Sequence, residues 1–382
     1  MGGAHVDLQR LGLDEGGLIL LKRALRHHQR VDVLGLHPML EVHLRAFCRA
    51  QGHTLDGRTV MRGKYGLVAR TRAGAELEVA EAPLLCWGLA ARGALVETGV
   101  PPFPFTLASK DQVWTDDAPR LYAQAAAAQW DPAVAVPWTA EFLLPDEVED
   151  AVVSVMTYLV ENETAALLIP ARFLAGIHPH FREVMQLLAI QTADEARHIE
   201  VFTRRALLKR AAPGVSSAGG QASLKTLMEE GDFALAMFLL SVLGEGSFLS
   251  LLWFLRDHAP DPVTAQVALL AAQDEARHVA FGLAHLARHA QRDPGLLDRL
   301  ALAVERRHRA LQDTAGLNDA VFDALVLLAA GSFEVAAIAR GHARVMALQV
   351  EMDDGRSKRL KRLGFDDTRA AALSALHTRN FM

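Results

Sequence analysis

A pentapeptide that occurs twice constrains the fold of this chain more than any other feature. Asp194–His198 and Asp274–His278 have the same sequence, Asp-Glu-Ala-Arg-His. Each copy contains Glu-x-x-His, and residues three apart on a helix lie on one face, about one turn apart. Each copy therefore directs one carboxylate and one imidazole at the same point. Two copies on facing helices supply two such pairs, which is what a dinuclear metal site inside a four-helix bundle requires.

A bundle of this kind also needs one carboxylate from each of its other two helices. Glu161 lies upstream of the first copy and Glu245 upstream of the second, each in a long apolar run that is compatible with a helix. A leucine pair follows each glutamate at the same distance, Leu167–Leu168 in the first run and Leu251–Leu252 in the second. The repeat is therefore a whole helix pair. Glu163 is a rival for the first carboxylate, and the matching leucine pairs favour Glu161.

The pattern Glu…Glu-x-x-His…Glu…Glu-x-x-His, from about Asp146 to His289, resembles the ferritin-like di-iron carboxylate superfamily. That superfamily includes ribonucleotide reductase small subunits, bacterial multicomponent monooxygenases, acyl-carrier desaturases and arylamine N-oxygenases. The resemblance implies a mainly α fold, with a ferritin-like four-helix bundle and additional C-terminal helices. It implies six metal ligands, with the second and fifth as bridging candidates: Glu161, Glu195, His198, Glu245, Glu275 and His278.

Residues beside the motifs distinguish the subtypes of this superfamily. Ribonucleotide reductase subunits keep a radical tyrosine about a turn after the first Glu-x-x-His, where this chain has Phe202. Arylamine N-oxygenases add a histidine one turn before the second Glu-x-x-His, where this chain has Ala271. The resemblance therefore implies an oxygen-activating oxidase or oxygenase of unassigned substrate, with no catalytic residue beyond the metal ligands.

Three further residues are candidates for a layer around the ligands. Asp194 and Asp274 each precede a ligand glutamate, and each can accept the free N–H of a ligand histidine across the bundle, which fixes the histidine tautomer. Surface ion pairing with Arg197 and Arg277 is the alternative role for these aspartates. Tyr158 lies in the same apolar run as the first upstream glutamate.

The donor set indicates which metals would bind. Four carboxylates and two imidazoles without a thiolate favour two Fe ions, or a Mn or mixed Fe/Mn pair, over zinc–cysteine sites and iron–sulfur clusters. We therefore expect a non-haem di-metal oxidase or oxygenase that acts on a small organic substrate with dioxygen and uses an external electron donor. Two alternatives stay open: ferritin-type metal oxidation and storage, and a non-catalytic scaffold that metal stabilises.

The composition limits which binding partners and which cellular compartment we expect for this chain. The chain has 382 residues, 51% of them hydrophobic, and a net charge of −5, with a pI near 6.3; these values argue against a nucleic-acid surface. Cys48 and Cys86 have neither metal-site nor disulfide spacing. Met1–Ala4 runs into a charged segment rather than the apolar core of a signal peptide. We therefore expect a cytoplasmic protein.

One segment has the composition of a membrane span. Phe233 to Leu255 is apolar throughout and carries Glu245 as its single charge, and its length suits a bilayer. A bundle helix that is buried on nearly all sides has the same composition. A lone carboxylate in lipid is costly, and Glu245 stands where the repeat predicts a ligand. Burial in the protein, without a membrane partner, is therefore the favoured interpretation.

Residues 1–72 are predicted to form a separate small α/β domain. Helices are expected at Leu18–Leu25 and Leu40–Ala50, and strands at Val31–Gly35, His53–Leu55, Thr59–Met61 and Leu67–Ala69. This order, with Asp7–Leu8 and Ala46–Cys48, resembles the TusA/SirA-like sulfur-carrier fold. That family carries sulfur on a Cys-Pro at the start of its first helix, where this chain has Leu13–Asp14. Persulfide transfer is therefore not expected. Two roles for this domain stay open. It could be a docking or dimerisation module, in which case the protein would be a homodimer, or it could be a plain α/β cap.

The remainder of the chain divides into three predicted parts. Residues 73–145 form a helical and proline-rich connection, with helices at Ala82–Leu95 and Leu121–Gln129. A loop with Trp130 and Trp138 follows, either at a substrate entrance or packed across the bundle end. Residues 146–350 form the di-metal bundle and its additional helices, which include one helix over Asp319–Val350. Residues 351–382 are predicted to be a charged, loosely attached tail.

Overall fold

The chain divides into two compact units. The computed structural model describes residues 4–63, 77–311 and 319–377. The first unit comprises Met1–Glu81 and Cys86–Pro102, and the second comprises Ala82–Leu85 and Phe103–Met382. The first contains two small sheets and two α-helices, and the second is helical. The predicted fold class is therefore confirmed.

The first unit is built on a four-stranded sheet. Its strands and helices are β1 (Ala4–Asp7), α1 (Leu18–His27), β2 (Arg30–Leu34), α2 (Leu40–Gln51), β3 (Thr54–Asp56) and β4 (Thr59–Met61). The sheet order is β1-β2-β4-β3, with β1 and β2 parallel and the other pairs antiparallel. β1 was not among the predicted strands, and the predicted strand at Leu67–Ala69 lies outside the described residues. The resemblance to the sulfur-carrier fold stays a prediction.

Alternating burial explains why this sheet forms. Val31 and Val33 of β2 are fully buried while their neighbours are not, as expected for a strand with one face on a core. Leu21 of α1 and Leu44 of α2 are buried on that core. Gly52 has a φ of 66° and ends α2, because glycine adopts this left-handed conformation without a steric penalty.

A second, two-stranded sheet replaces a predicted helix. β5 (Leu77–Val79) pairs antiparallel with β6 (Leu95–Glu97), and this hairpin belongs to the first unit. The helix predicted at Ala82–Leu95 is therefore wrong, and the first compact unit extends beyond residue 72. Gly88 and Gly93 have φ values of 53° and 81°, which a right-handed helix does not accommodate. These two glycines turn the chain back instead of continuing a helix.

The second unit contains most of the helices of the described chain. They are α3 (Lys110–Val113), α4 (Ala118–Ala127), α5 (Pro132–Ala135), α6 (Asp146–Leu174), α7 (Arg182–Ala206), α8 (Ala218–Met228), α9 (Phe233–Met237), α10 (Gly246–Asp257), α11 (Pro262–Arg292), α12 (Leu296–Leu311), α13 (Asp319–Ala330), α14 (Val335–Leu363) and α15 (Asp367–His377). A π-helical segment, Phe238–Glu245, joins α9 to α10. α6 packs along α7, and α10 with the π-helical segment packs along α11. These two pairs form the four-helix arrangement, and α13 and α14 cover it from outside.

The apolar segment from α9 to α10 is buried inside the protein. Among the described residues, two stretches of helix, Asp146–Leu174 and Phe233–Asp257, are long and apolar enough to cross a membrane, and Asp319–Ala330 with Val335–Leu363 would add a third as a bent pair. In the first two, however, 61% and 83% of the apolar window is buried within the protein. The apolar surface of α9–α10 therefore packs against neighbouring helices, as the burial interpretation expects.

A buried ionic network joins three of the bundle elements. The guanidinium of Arg205 on α7 is fully buried and donates to both carboxylate oxygens of Glu149 on α6, at 2.6 and 3.1 Å. It also donates to Asp261 at 2.7 Å and to the Thr264 hydroxyl at 2.8 Å. Asp261 caps α11 by accepting from the backbone N–H groups of Val263 and Thr264. This network therefore fixes the start of α6, the end of α7 and the start of α11 relative to one another.

The C-terminal region differs from its prediction in two ways. The helix predicted over Asp319–Val350 is broken at Gly331, whose φ is 71°, and α13 and α14 meet at a bend of 115°. The charged tail predicted from residue 351 is instead the end of α14 followed by α15. Leu360 and Leu363 of α14 are buried, because the helix places these apolar residues on one side and its charges on the other.

Candidate metal centre

The two copies of the repeated pentapeptide face each other at the centre of the four-helix arrangement. Glu195 and His198 project from α7, and Glu275 and His278 project from α11. All four side chains are buried. The i, i+3 spacing within each helix brings the carboxylate and the imidazole to the same side, as the sequence predicts.

Two overlapping groups of ligand atoms form at this point. In each group the four donor atoms lie within 4.8 Å of one another. The first group consists of Glu163, Glu195, His198 and Glu275, and the second of Glu195, Glu245, Glu275 and His278. Glu195 and Glu275 belong to both groups. They are therefore placed to bridge two ions, with one histidine and one further glutamate on each side.

The structure brings Glu163, not Glu161, into this cluster. Glu163 is 3% exposed, and its Oε2 lies 3.6 Å from His198 Nδ1. Glu161 is only half-buried and belongs to neither group of ligand atoms. Two helix residues that are two positions apart point in nearly opposite directions, so α6 can direct only one of this pair inward. The assignment of Glu161 from the leucine pairs is therefore corrected to Glu163.

Both histidines present the same ring nitrogen to the cluster. Nδ1 of His198 lies 3.2 Å from Glu195 and 3.4 Å from Glu275. Nδ1 of His278 lies 3.0 Å from Glu195 and 3.5 Å from Glu275. The two rings are therefore related by the internal repeat, and Nδ1 is the atom that each offers to an ion.

The other ring nitrogen of each histidine reaches the aspartate of the opposite repeat. His198 Nε2 lies 3.2 Å from Asp274, and His278 Nε2 lies 3.2 Å from Asp194. A carboxylate at Nε2 favours the tautomer with its proton there, which leaves the Nδ1 lone pair free for a metal. The aspartates therefore lie where the orienting role predicted from their position before the ligand glutamates requires them.

A third layer holds the aspartates in place. Arg197 hydrogen-bonds both Asp194 and Asp274, and Arg277 hydrogen-bonds Asp274. Gln129 donates to Asp194 at 2.8 Å, and Trp130 donates through Nε1 to Asp274 at 2.8 Å. These two residues follow α4 and are far from the repeats in sequence, so no local pattern identified them. The tryptophan loop thus packs on the metal centre at Trp130, whose ring also stacks under Arg197 at 4.7 Å.

The carboxylates of the cluster have shifted pKa values in opposite directions. Burial and the neighbouring Glu195 and Glu275 charges raise the pKa of Glu163 well above its usual range. Burial and Glu275 do the same to the pKa of Glu245. The pKa of Glu195 is instead lowered, because the neighbouring imidazoles of His278 and His198 outweigh its burial. Such opposed shifts are typical of functional sites.

The pKa values of the two histidines are raised well above 6.5. Burial alone would lower them, but the surrounding carboxylates outweigh it at His198, led by Asp274, and at His278, led by Glu195. Four glutamates in a buried space need positive charge close by. Either bound protons or divalent cations can supply it.

The unsatisfied atoms of the cluster fit divalent cations. Within the described part of the chain, the buried atoms without a hydrogen-bond partner include one oxygen each of Glu163, Glu195 and Glu245, both oxygens of Glu275, and Nδ1 of His278. His278 Nδ1 and Glu195 Oε1 are 3.0 Å apart, so both atoms could reach the same ion. Native proteins rarely leave buried polar atoms unpaired. The atoms present therefore fit two ions with oxygen and nitrogen ligands.

The second carboxylate helix reaches the cluster through its π-helical segment. Glu245 is the last residue of this segment, and one of its oxygens accepts from Gln191 at 3.0 Å. Gly282 on α11 permits the close approach, since a Cβ there would lie 2.5 Å from Cβ of Ser241. π-helical insertions are frequent at functional sites, and here the segment sets the direction of Glu245.

Tyr158 is the remaining predicted residue, and no hydrogen bond links it to the cluster in the described chain. Its ring packs against Phe248 at 5.8 Å, and its buried hydroxyl has no hydrogen-bond partner among the residues described. Burial raises the pKa of this phenol. Phe202 and Ala271, at the positions that distinguish the subtypes, are both fully buried and offer no ligand atom.

A cavity opens beside the cluster within the second unit. Glu163, Glu245 and Glu275 form part of its wall, and Leu240 and Phe248 are among its mainly apolar lining residues. The cavity itself has a volume of about 40 Å³. Concave, mainly apolar cavities with a few convergent polar groups are typical of small-molecule sites.

Comparisons with known proteins return solved structures alone. No family model matches the chain, and no curated protein does. An R2-like ligand-binding oxidase with an aerobically reconstituted metal cofactor is 18% identical, with a TM-score of 0.45 over 67% of this chain and 94% of that one. A variant of such an oxidase with an Fe/Fe cofactor is 18% identical, with a TM-score of 0.48 over 65% and 94%. An R2-like ligand-binding oxidase from Sulfolobus acidocaldarius is 15% identical, with a TM-score of 0.44 over 65% and 95%.

Proposed function

We propose that this protein is a non-haem di-metal oxidoreductase that activates dioxygen on a small organic substrate. The observation that carries the proposal is the pair of overlapping ligand groups bridged by Glu195 and Glu275, with inward-facing atoms that have no hydrogen-bond partner. Glu163 and His198 complete one side, and Glu245 and His278 complete the other. Oxygen and nitrogen donors without a thiolate suit iron or manganese.

The four glutamates of the cluster form an inner layer of negative charge, and Asp194 and Asp274 form an outer layer. The charges of these two layers are balanced separately. Asp194 and Asp274 in the outer layer are paired with Arg197 and Arg277. The four inner glutamates have no arginine or lysine partner within the described chain. Two divalent cations would offset those four negative charges. The arginines therefore neutralise the aspartates and leave the glutamates to the metals.

In this chemistry the protein would hold the two ions, orient their ligands and exclude water from the cavity. The bridging glutamates would fix the spacing of the two ions, and each aspartate holds a proton on Nε2 of its histidine. Leu240 and Phe248 keep the adjoining cavity apolar, which strengthens electrostatic interactions inside it. Bound iron or manganese would supply one-electron redox chemistry and coordination positions open to dioxygen. We also propose that an external electron donor supplies electrons to this site.

The test is dioxygen uptake by the metal-loaded protein. The chain is loaded with Fe(II) without oxygen and mixed with aerated buffer containing a reductant, and dissolved oxygen is followed with an electrode. We expect faster uptake than by the same Fe(II) in buffer. A Glu195→Ala, Glu275→Ala double variant should behave like buffer, because it lacks both bridging carboxylates. Zn(II)-loaded protein is the redox-inert control.

Two outcomes would contradict the proposal, and each supports a different alternative. Uptake that requires a continuous supply of Fe(II) and accumulates ferric mineral would identify metal oxidation and storage. Firmly bound iron without uptake above the buffer rate would identify a scaffold in which the metal is structural.

A further inference from the structure

A buried arginine lines the cavity beside the metal centre. Arg307 on α12 is 8% exposed and belongs to the cavity wall that also contains Glu163, Glu245 and Glu275. Its Nη2 donates to the Ser223 hydroxyl at 2.7 Å. No carboxylate forms an ion pair with it within residues 4–63, 77–311 and 319–377. An arginine side chain has five N–H donors, so most of its hydrogen-bonding capacity is available to a ligand.

Other buried arginines of this protein have carboxylate partners. Arg205 is paired with Glu149 and Asp261, and Arg356 lies 3.6 Å from Asp353. A buried charge without a partner is costly, and proteins rarely retain one without a reason. Burial lowers the pKa of Arg307 to about 10, so the side chain still carries its charge at neutral pH. The positive charge in the cavity wall is therefore permanent under ordinary conditions.

A second polar group of the cavity is also unsatisfied. Nε2 of His377 on α15 is buried and has no hydrogen-bond partner among the described residues. Burial and the charges of Arg307, Arg356 and Arg359 lower the pKa of His377 well below its usual value. The imidazole is therefore neutral, and the positive charge on this side of the cavity comes from arginine.

We infer that the cavity binds an organic anion with an apolar body, whose carboxylate pairs with the Arg307 guanidinium. The apolar body would lie against side chains such as Leu227, Leu240 and Phe248, in the space that reaches the metal-binding glutamates. A planar guanidinium matches the two oxygens of a carboxylate. As a statement about the substrate, this inference rests on the proposed oxidoreductase function; as a statement about binding, it does not depend on turnover.

The test compares a carboxylate with its neutral analogue. Binding of 4-phenylbutyrate, 4-phenylbutan-1-ol and acetate to the metal-loaded, full-length chain is measured by calorimetry without oxygen. We expect 4-phenylbutyrate to bind more tightly than either of the others, since only it has both the charge and the apolar body. Arg307→Met should weaken its binding about 10- to 100-fold, as expected for loss of a hydrogen-bonded charge, while binding of the alcohol changes little. Arg307→Lys should retain part of the affinity.

Matched controls separate binding from folding. Arg356 is a buried arginine that donates to Ser374 and Ser247 and does not line the cavity, so Arg356→Met should leave 4-phenylbutyrate binding unchanged. If Arg307→Met does not fold, the difference between 4-phenylbutyrate and the alcohol in the unmodified protein decides the question. Equal affinity for the two would overturn the inference. The inference would also be overturned if Arg307→Met still bound 4-phenylbutyrate and this binding were lost on removal of the metals. That result would mean that the carboxylate binds the metals. Failure of dioxygen uptake alone would count against the proposed function and leave this binding result standing.

Discussion

Replacing Glu163 with glutamine should remove one of two bound metals, whereas the same change at Glu161 should leave both. Glu163 lies in the ligand group that contains His198, and Glu161 lies in neither group. A neutral amide is a much weaker ligand for iron or manganese than a carboxylate. We therefore expect metal content to fall from about two ions per chain to about one in Glu163→Gln. Elemental analysis of both variants after anaerobic loading and removal of free metal measures it.

The Glu161→Gln variant is a close control, because the two glutamates are two residues apart on α6. It makes the same chemical change and tests only the direction of the side chain. Equal loss in both variants would mean that the change perturbs α6 as a whole. Loss in Glu161→Gln alone would restore the assignment that the leucine pairs suggest and contradict the geometry of the cluster.

Arg205→Met should destabilise the helical unit strongly, by about 3–5 kcal/mol, as expected when one partner of a buried ion pair is removed. The substitution leaves Glu149 and Asp261 buried without their shared cation. The shift in urea midpoint, followed by helical circular dichroism on metal-loaded protein, measures the loss. Adding Glu149→Gln to Arg205→Met should recover part of it, because that change removes one of the stranded charges.

Arg210→Met serves as the comparison for this prediction. Arg210 also pairs with two aspartates, Asp146 and Asp150, but both of these are largely exposed. Exposed ion pairs contribute little to stability, so the midpoint should move far less than in Arg205→Met. Similar midpoints for the two variants would show that burial of the Arg205 network does not have the energetic role assigned to it.

Most residues of the cluster can be predicted from the sequence because the motif that contains them is local. Glu-x-x-His places two ligand types on one helix face whatever the surroundings, and the repeat implies two such faces. The leucine pairs imply a common spacing and therefore point to Glu161, which the cluster does not contain. The buried stripe Val152, Met156, Leu159 and Ala166 continues through Glu163 at helical spacing, and this periodicity is the signal that identifies it.

Other features of the site depend on contacts that no local pattern encodes. Gln129 and Trp130 reach the aspartates across the bundle, and their role follows from tertiary packing. The π-helical segment that ends at Glu245 has the same apolar composition as the helices on either side of it, so the sequence does not reveal it. Gly331 marks the α13–α14 bend only through its positive φ, since a glycine in a helical pattern is compatible with either outcome.

Metal content of the purified, full-length protein tests the central claim most directly. Elemental analysis is made on the unmodified chain and on the Glu195→Ala, Glu275→Ala variant, each loaded with Fe(II) and Mn(II) without oxygen. The account predicts about two iron or manganese ions per chain in the first protein and loss of both in the second. Absence of firmly bound metal in the unmodified chain would contradict the account and reduce the repeated pentapeptide to a structural duplication.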